Sequence, residues 1–341
     1  MKKTPLNGWI SGFILLVSLL AARPATVLAA SIDAQAAAAF SEQMQQRYGF
    51  NAASLKSTLG SATRLDSVLA AMVKPAEKKP WHAYRPIFMT PERIEAGVAF
   101  WDQHEAALTR AESEYGVPAS IIVAIIGVET FYGRNAGNYR VLDALATLAF
   151  HFPPRAPFFR SELENFLLLT RDEQIEPGAP KGSYAGAMGL PQFMPSSFRN
   201  FAVDFDKDGK RNIWTDPDDA IGSVGNYLAR HGWQRAQPIV AQAATRPANA
   251  NQASEGVELV KPVGEYRAAG VQPLDDIDAT LPAVLLAFED VDSMEYWFGF
   301  RNFHAITRYN RSPKYALAVA QLAEAVAQRR RLRVDRQARA P

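Results

Sequence analysis

A single carboxylate, Glu129, stands at the end of a run of apolar side chains that begins at Ile121. A helix that is apolar on every side is buried, and burial raises the pKa of a carboxyl group. A carboxylic acid that holds its proton near neutral pH can act as a general acid. Glu129 is therefore a candidate catalytic acid, and a cap or a surface salt bridge is the alternative that this stretch alone leaves open.

Two sequence motifs accompany this carboxylate. Residues 128–133 read VETFYG, and residues 186–197 read GAMGLPQFMPSS. Together they resemble the membrane-bound lytic transglycosylase B family of murein-cleaving enzymes, over a region from about residue 36 to residue 328. The resemblance implies a lysozyme-like domain in which one catalytic glutamate, here Glu129, ends a buried helix.

The same resemblance implies which side chains line the substrate cleft. Ser183 and Gln192 match polar residues beside the glutamate, and the segment TRYN at residues 307–310 matches one that closes the cleft. Relatives carry two consecutive arginines after Tyr-Pro, whereas this chain reads FPPR from residue 152, so that only the second arginine is kept. The implied substrate-binding residues are Ser183, Gln192, Tyr309, Asn310, Arg155 and Tyr227. A purely structural helix entry remains the alternative for Tyr309.

The resemblance also implies a mechanism. An ordinary glycosidase uses two carboxylates, but no second acid lies in a matching motif near Glu129. In the family, Glu129 would protonate the leaving oxygen of the β-1,4 bond between N-acetylmuramic acid and N-acetylglucosamine while the substrate's own N-acetyl group stabilises C1. The glutamate would then deprotonate the C6 hydroxyl, which closes a 1,6-anhydro ring. An intramolecular nucleophile of high effective concentration thereby replaces water.

Two other functions remain open at this point. A lysozyme-type muramidase would use the same glutamate with water and would leave reducing ends. A non-catalytic module that binds the cell wall or calcium would not need the glutamate at all. No organic cofactor is expected, and the expected partner is the glycan strand of peptidoglycan.

Residues 204–212 read DFDKDGKRN, which repeats the opening of a calcium-binding loop. Acids stand at positions 1, 3 and 5, glycine at position 6, and a backbone carbonyl is available at position 7. Position 12 is Thr215 rather than glutamate, and the resemblance implies that an aspartate at the start of the next helix closes a longer loop. The expected ligands of a structural Ca²⁺ are Asp204, Asp206, Asp208, Lys210, Asn212 and Asp219. An acidic turn without metal is the alternative.

The composition excludes several classes of protein. The chain has 341 residues, 48% of them hydrophobic, which is enough for a large core in two or three subdomains. It has no cysteine, so disulfides, thiolate metal sites and a cysteine nucleophile are excluded. Removing residues 1–30 takes away three of the 37 bases and none of the 35 acids. The mature chain is then nearly neutral, and nucleic-acid binding is not supported.

The amino terminus has the features of a secretory signal peptide. Two lysines precede an apolar region at residues 9–22, and small residues suited to cleavage follow at 27–29. An uncleaved anchor helix is the alternative, although Arg23 and Pro24 interrupt the apolar run before about 20 residues accumulate. No cysteine is present to carry a lipid. We therefore expect a soluble periplasmic monomer without a stable membrane anchor.

The periodicity of apolar residues predicts a mainly α fold (α+β), with a helical packing domain and a small strand-rich insertion. The resemblance implies that the catalytic core is lysozyme-like. The predicted segments are a signal peptide at 1–30, a helical domain at 31–115 completed by a C-terminal helix at 313–328, the catalytic core at 116–233 with its calcium loop at 204–219, a β-rich insertion at 234–280, a return to the core at 281–312 and a basic tail at 329–341.

Two of these segments carry finer predictions. In the insertion, strands are expected at residues 238–241, 257–260 and 265–266. The tail contains six arginines and one acid, which predicts a helix end with favourable dipole charges followed by disorder. A specific contact with an anion is the alternative for the tail.

Overall fold

The structure, a computed structural model, describes residues 30–73, 79–244 and 247–338. The predicted signal peptide therefore lies outside the described residues, apart from its last residue. The helices of the described ranges are α1 (Ala34–Tyr48), α2 (Ala52–Gly60), α3 (Asp66–Met72), α4 (Trp81–Tyr84), α5 (Pro91–Gln103), α6 (Glu105–Tyr115), α7 (Ala119–Thr130), α8 (Val141–His151), α9 (Ala156–Asp172), α10 (Pro195–Phe201), α11 (Pro217–Arg230), α12 (Val263–Ala268), α13 (Arg301–Tyr309) and α14 (Pro313–Ala338). The strands are β1 (Ala30–Ser31), β2 (Thr63–Arg64), β3 (Tyr139–Arg140), β4 (Lys181–Gly182), β5 (Val240–Ala244), β6 (Lys261–Pro262), β7 (Gln272–Pro273), β8 (Pro282–Glu289) and β9 (Met294–Gly299).

Helix α7 is the centre of the main core. It has no polar side chain between Ser120 and Glu129, and all of its residues except Ser120 are buried. Helices α5, α6, α11 and α14 pack around it. Ile122 and Ile125 have no exposed surface, and burying one such side chain contributes about 1.5 to 3 kcal/mol. The apolar pattern thus holds the last turn of α7, with Glu129, inside the protein.

A buried carboxylate on α9 fixes the second motif. Glu162 accepts hydrogen bonds from the backbone N–H and the hydroxyl of Ser196, at 2.9 and 2.7 Å. Because α10 begins at residue 195, this carboxylate satisfies one of the donors that the start of a helix leaves unpaired. The end of the 186–197 motif is therefore attached to α9.

The strand-rich part is a five-stranded antiparallel sheet with the order β6-β8-β9-β5-β7. Both faces of β8 are covered. Val284 and Leu286 belong to the main core, whereas Ala283 and Leu285 belong to a smaller core formed with α12. The sheet is therefore packed directly against the helical body.

Some predicted strands were wrong. Residues 238–241 overlap β5, but residues 257–260 form no strand and residues 265–266 lie in α12. The two longest strands, β8 and β9, follow residue 280, where the sequence pattern predicts a return to the core. A strand that is buried on both faces reads as a continuous apolar run, and periodicity cannot identify it.

The C-terminal helix extends beyond its predicted end at residue 328, because α14 continues to residue 338. Arg330 forms ion pairs of 2.8 Å with both Asp102 and Glu105, and Arg329 pairs with Glu95. Such exposed pairs contribute about 0 to 1 kcal/mol each. Acidic residues of α5 and α6 thus accommodate the basic helix end.

No single helix in the described ranges is long and apolar enough to cross a membrane. The consecutive helices α6 and α7 have the length and apolar composition of a membrane span only when they are taken together, and the chain bends by 114° between them.

Candidate active site

Glu129 is a buried acid with one side-chain partner. Its side chain lies in the last turn of α7, and the residue is 9% exposed. The hydroxyl of Tyr315 donates a hydrogen bond of 2.6 Å to its Oε1. Burial raises the pKa of Glu129 to about 8, although the Tyr315 hydrogen bond opposes this shift. Glu129 is therefore protonated at neutral pH and can give up its proton with little cost.

The backbone that follows Glu129 is held in an uncommon conformation. Phe131 and Tyr132 both have positive φ angles, 52° and 58°. The Tyr132 ring covers Gly127 so closely that a Cβ there would lie 2.5 Å from the tyrosine hydroxyl. Arg93 donates a 2.5 Å hydrogen bond to the carbonyl of Gly127, and its guanidinium lies 4.6 Å from the Phe131 ring centre. These contacts limit the movement of the glutamate.

The segment around the second motif forms a tight loop beside α7. Ser183 Oγ accepts hydrogen bonds from the backbone N–H groups of Ala185 and Ala187, at 3.3 and 3.0 Å. Gly189 has φ +67°, and a Cβ at this position would lie 2.3 Å from the carbonyl oxygen of Ile213. Ser183 thus stabilises the loop itself, and glycine at position 189 permits the close backbone approach.

Gln192 has one half of its amide paired and the other half unpaired. Its Nε2 donates hydrogen bonds to the carbonyls of Ala136 and Gly189, at 3.1 and 2.9 Å. Exchanging the amide oxygen and nitrogen would place the oxygen against two carbonyls, so the orientation is determined. Oε1 is buried and has no hydrogen-bond partner among the described residues. The site therefore contains a buried acceptor that no described residue pairs.

Two tyrosines and an asparagine complete this region. Tyr309 donates a hydrogen bond of 2.5 Å to the carbonyl of Pro191, and Tyr227 donates one of 2.6 Å to the carbonyl of Arg308. Their ring centres are 4.7 Å apart. Burial raises the pKa of Tyr309, and the nearby charge of Glu129 adds to the shift. Tyr309 thus connects the second motif to the neighbourhood of the glutamate.

Asn310 is 3% exposed. Its Oδ1 accepts a hydrogen bond of 3.0 Å from the N–H of Ser312, whereas Nδ2 has no partner in the described part of the chain. Asn310 thus carries an unpaired buried donor, whereas Gln192 carries an unpaired buried acceptor.

Arg155 lies at the start of α9. Its guanidinium stands over the rings of Phe158 and Phe159, at 4.6 and 5.2 Å from their centres, and burial lowers its pKa. Its contact with substrate stays a prediction.

Sequence reasoning missed Tyr315, which the pattern predicts to be a packing residue of the last helix. It is fully buried, and it contacts Glu129 across a separation of 186 residues. The only local signal is a tyrosine that opens an alanine-rich helix shortly after the TRYN segment. Such a pairing depends on how α14 packs on α7.

We expect Tyr315→Phe to change the pH dependence of catalysis. A hydrogen bond to a charged group contributes about 1.5 to 3 kcal/mol, and this one favours the carboxylate. Its loss should raise the pKa of Glu129 further, by about one to two units, and the basic limb of the pH–rate profile should move upward. Tyr266→Phe is the matched control, because its hydroxyl accepts a bond from the Leu285 N–H in the sheet. Identical profiles for the two variants would contradict the positioning role of Tyr315.

The predicted calcium loop brings three carboxylates together. One oxygen from each of Asp204, Asp206 and Asp219 lies within 4.8 Å of the others. Asp219 is buried, and it accepts hydrogen bonds from the backbone N–H groups of Phe205 and Asn212, at 2.5 and 2.6 Å. Clustered carboxylate oxygens fit a hard cation such as Ca²⁺.

The predicted acids Asp204, Asp206 and Asp208 all accept hydrogen bonds from backbone N–H groups of the loop. Asp208 lies outside the three-acid cluster, and its Oδ1 accepts a hydrogen bond of 2.9 Å from the N–H of Lys210. The Oδ1 of Asn212 accepts from Trp214 and Thr215, at 3.2 and 3.1 Å. Of the six predicted ligands, Asp204, Asp206 and Asp219 thus have the strongest geometric support.

Comparison with known proteins agrees with the resemblance to lytic transglycosylases. The family described as Transglycosylase SLT domain matches residues 33–324. The chain is 46% identical over 298 residues to membrane-bound lytic murein transglycosylase B of Escherichia coli K12, and the alignment covers 84% of this chain and 81% of that protein.

Solved structures agree with this match. The soluble lytic transglycosylase SltB1 of Pseudomonas aeruginosa is 51% identical, with a TM-score of 0.83 over 86% of this chain and 99% of that one. The lytic transglycosylase Slt35 of Escherichia coli in complex with calcium is 45% identical, with a TM-score of 0.81 over 89% and 97% of the two chains. The predicted family, the lysozyme-like fold and the lytic transglycosylase class are confirmed. The chain belongs to the transglycosylase SLT domain family.

Proposed function

We propose that this protein cuts the β-1,4 bond between N-acetylmuramic acid and N-acetylglucosamine in peptidoglycan without water, leaving 1,6-anhydro ends. The observation that carries the proposal is the buried carboxyl of Glu129, with its pKa raised to about 8 and its oxygen held by Tyr315. The family to which the chain belongs supports the same reaction.

In the first step, the protonated Glu129 transfers its proton to the glycosidic oxygen as the bond from C1 to that oxygen breaks. The substrate's N-acetyl group stabilises the positive charge that develops at C1. In the second step, the Glu129 carboxylate accepts the proton of the C6 hydroxyl, and O6 forms the new bond to C1. The glutamate ends protonated, so the cycle consumes no water and leaves the enzyme unchanged.

A second catalytic carboxylate is not needed in this scheme, and the other buried acids of the described ranges have different partners. These acids are Asp143, Glu162 and Asp219. Asp143 accepts the N–H of Thr63 and pairs with Arg140, while Glu162 and Asp219 bind backbone donors. Because these three acids are already hydrogen-bonded or ion-paired within the protein, the structure supports a mechanism that uses one glutamate.

The two unpaired buried atoms suit an N-acetylated sugar. Gln192 Oε1 can accept an N–H or a hydroxyl, and Asn310 Nδ2 can donate to a carbonyl or a hydroxyl. Leaving a buried polar atom unpaired costs about 1 to 3 kcal/mol. A ligand that pairs both Gln192 Oε1 and Asn310 Nδ2 recovers that cost. Hydrogen bonds of Ser183, Tyr227 and Tyr309 hold the surrounding backbone.

We expect Gln192→Ala to reduce turnover about tenfold to a hundredfold, because it removes the acceptor and the two hydrogen bonds that Nε2 donates to the loops. Tyr309→Phe should also lower turnover, since it frees the carbonyl of Pro191. Kinetics on purified sacculi, with thermal midpoints of the same samples, test both. A collapse of the thermal midpoint instead would assign these residues to the core.

The products distinguish the proposal from the two alternatives. Muropeptides released from purified sacculi are separated by chromatography and weighed by mass spectrometry. An anhydro product is lighter than the hydrolytic one by the mass of one water. Reducing ends alone would indicate a muramidase, and no release at all would indicate a binding module.

The proposal extends to the compartment and to the metal. Residues 1–30 would direct export to the periplasm, where peptidoglycan lies, and the mature protein would act as a monomer without a membrane anchor. A structural Ca²⁺ would be held by Asp204, Asp206 and Asp219, which is supported by the calcium complex of Slt35. The mass of the exported protein tests whether cleavage occurs after residue 30.

A further inference from the structure

A groove separate from the glutamate lies between the sheet and helix α14. Its cavity volume is about 420 Å³, which lies within the usual range of about 300 to 1,000 Å³ for small-ligand sites. The sheet side is formed by Gln242 of β5 with Glu295 and Trp297 of β9. Gln242 and Trp297 are direct partners in the strand register, so their side chains share one face of the sheet.

The helix side of the groove is a polar stripe of α14. Gln321, Glu324 and Gln328 line it, and their spacing of three and four residues places them on one helix face. At about 100° per residue, this stripe lies about 120 to 180° around the helix axis from Tyr315. The groove is therefore a different site from the one that contains Glu129.

The aromatic residue of the groove is positioned by its neighbour. The indole N–H of Trp297 donates a hydrogen bond of 3.0 Å to Glu295 Oε2. In the described part of the chain, no other aromatic ring and no cation stacks on this indole. The ring is half-buried and fixed at its edge, so its face can serve as a flat apolar platform.

The charged and amide groups indicate the chemistry of the ligand. Two carboxylates, Glu295 and Glu324, outnumber the single cation, Arg85, which is already hydrogen-bonded to Gln321 at 2.6 Å. This balance disfavours phosphates and acidic peptides. Glutamine amides both donate and accept, and carboxylates accept from hydroxyls. Such groups around an indole ring fit the hydroxyls, the amide and the apolar C–H face of an N-acetylated sugar ring.

We propose that this groove is a second glycan-binding site, which holds N-acetylhexosamine units of a peptidoglycan strand away from the cleavage site. The inference rests on the proposed function, which makes the substrate a polymer. Binding a strand at one site raises its effective concentration at the other. The groove thereby keeps the enzyme on the sacculus between cleavage events.

The test measures binding of Glu129→Gln protein, which leaves the strand uncut, to two insoluble probes. These are intact sacculi and sacculi stripped of their stem peptides by an amidase. Gln242→Ala and Trp297→Phe are added separately to this background. Gln272→Ala is the matched control, because Gln272 is an exposed glutamine on β7 of the same sheet. Trp297→Phe keeps a smaller ring packed against the main core but reduces the platform and removes the N–H bond to Glu295. Gln242 is exposed, so both variants should fold.

Both groove variants should bind each probe about fivefold to tenfold more weakly than the control, which corresponds to about 1 to 1.4 kcal/mol. Binding equal to that of Gln272→Ala would overturn the inference. A loss seen only with intact sacculi would also overturn it, because the groove would then recognise stem peptide. Release of anhydro products by the unmodified protein is measured in parallel. Its absence rejects the proposed function, whereas its presence with normal binding by the variants rejects only the second site.

Discussion

Glu129→Gln is expected to abolish the release of anhydromuropeptides from sacculi, with turnover lower by at least about a thousandfold. The loss is large because one carboxyl both gives the proton to the leaving oxygen and removes it from the C6 hydroxyl. Glutamine has a similar shape and can remain beside Tyr315, but it cannot transfer a proton. Chromatography of digests with mass spectrometry of the products is the measurement.

The same variant should be more stable than the unmodified protein at high pH. The pKa of Glu129 is about 8 in the folded protein, and it has its ordinary value of 4.5 in the unfolded chain. Between pH 4.5 and pH 8 the folded state therefore binds more protons than the unfolded state. The contribution of protonated Glu129 to the free energy of unfolding is fully present below pH 4.5, and it is lost as the pH rises through about 8. At about 1.4 kcal/mol per pKa unit, the loss is on the order of 5 kcal/mol. Denaturant unfolding at pH 5 and pH 9 measures it.

Glu289→Gln is the control for both measurements, because Glu289 is an exposed acid at the end of β8. It should retain activity and the pH dependence of the unmodified protein. Substantial activity in Glu129→Gln would remove this glutamate from the mechanism. A stability difference between Glu129→Gln and the unmodified protein that does not grow with pH would contradict the raised pKa.

Calcium is expected to raise the thermal midpoint by about 5 °C at a hundredfold excess over Kd. Binding to the folded state alone contributes about 2.7 kcal/mol at that excess, and about 2 °C or more follows per kcal/mol in a chain of this size. The physical reason is the mutual repulsion of Asp204, Asp206 and Asp219, whose oxygens lie within 4.8 Å of one another. Magnesium should have a much smaller effect, because it requires a tighter octahedral arrangement.

Asp206→Asn is the sharpest variant for the calcium experiment. Asp206 is exposed, and asparagine retains the oxygen that accepts the Asp208 N–H at 3.1 Å. The variant should remove most of the calcium response, as should Asp204→Ala. Asp276→Asn, an exposed acid in the sheet region, should retain the response. Unchanged midpoints and no calorimetric heat on calcium addition would leave the loop as an acidic turn.

Helix α7 and the site at its end could be predicted from sequence, because their determinants are local. A run of apolar residues without a polar break predicts a buried element, and a carboxyl at its end is buried with it. The motif around Gln192 requires glycines for a tight loop, and the spacing of Asp204 and Asp206 is that of a cation loop. In each case neighbouring residues in the chain define the feature.

Only the tertiary structure decided which distant groups meet these features. Tyr315 reaches Glu129 across 186 residues, and no periodicity encodes that contact. The C-terminal segment, for which the composition predicts a helix end followed by disorder, places Arg330 in ion pairs with Asp102 and Glu105.

The strand β8 illustrates the same limit, since burial on both faces removes the alternation by which a strand is recognised. Local sequence thus determined the buried helix that ends at Glu129, the loop motifs and the candidate metal ligands. The packing of α14 and of the sheet decided the partner of the glutamate and created the second groove. The physical reason is that local patterns report whether a residue is buried, whereas only the folded chain brings together the groups that share its site.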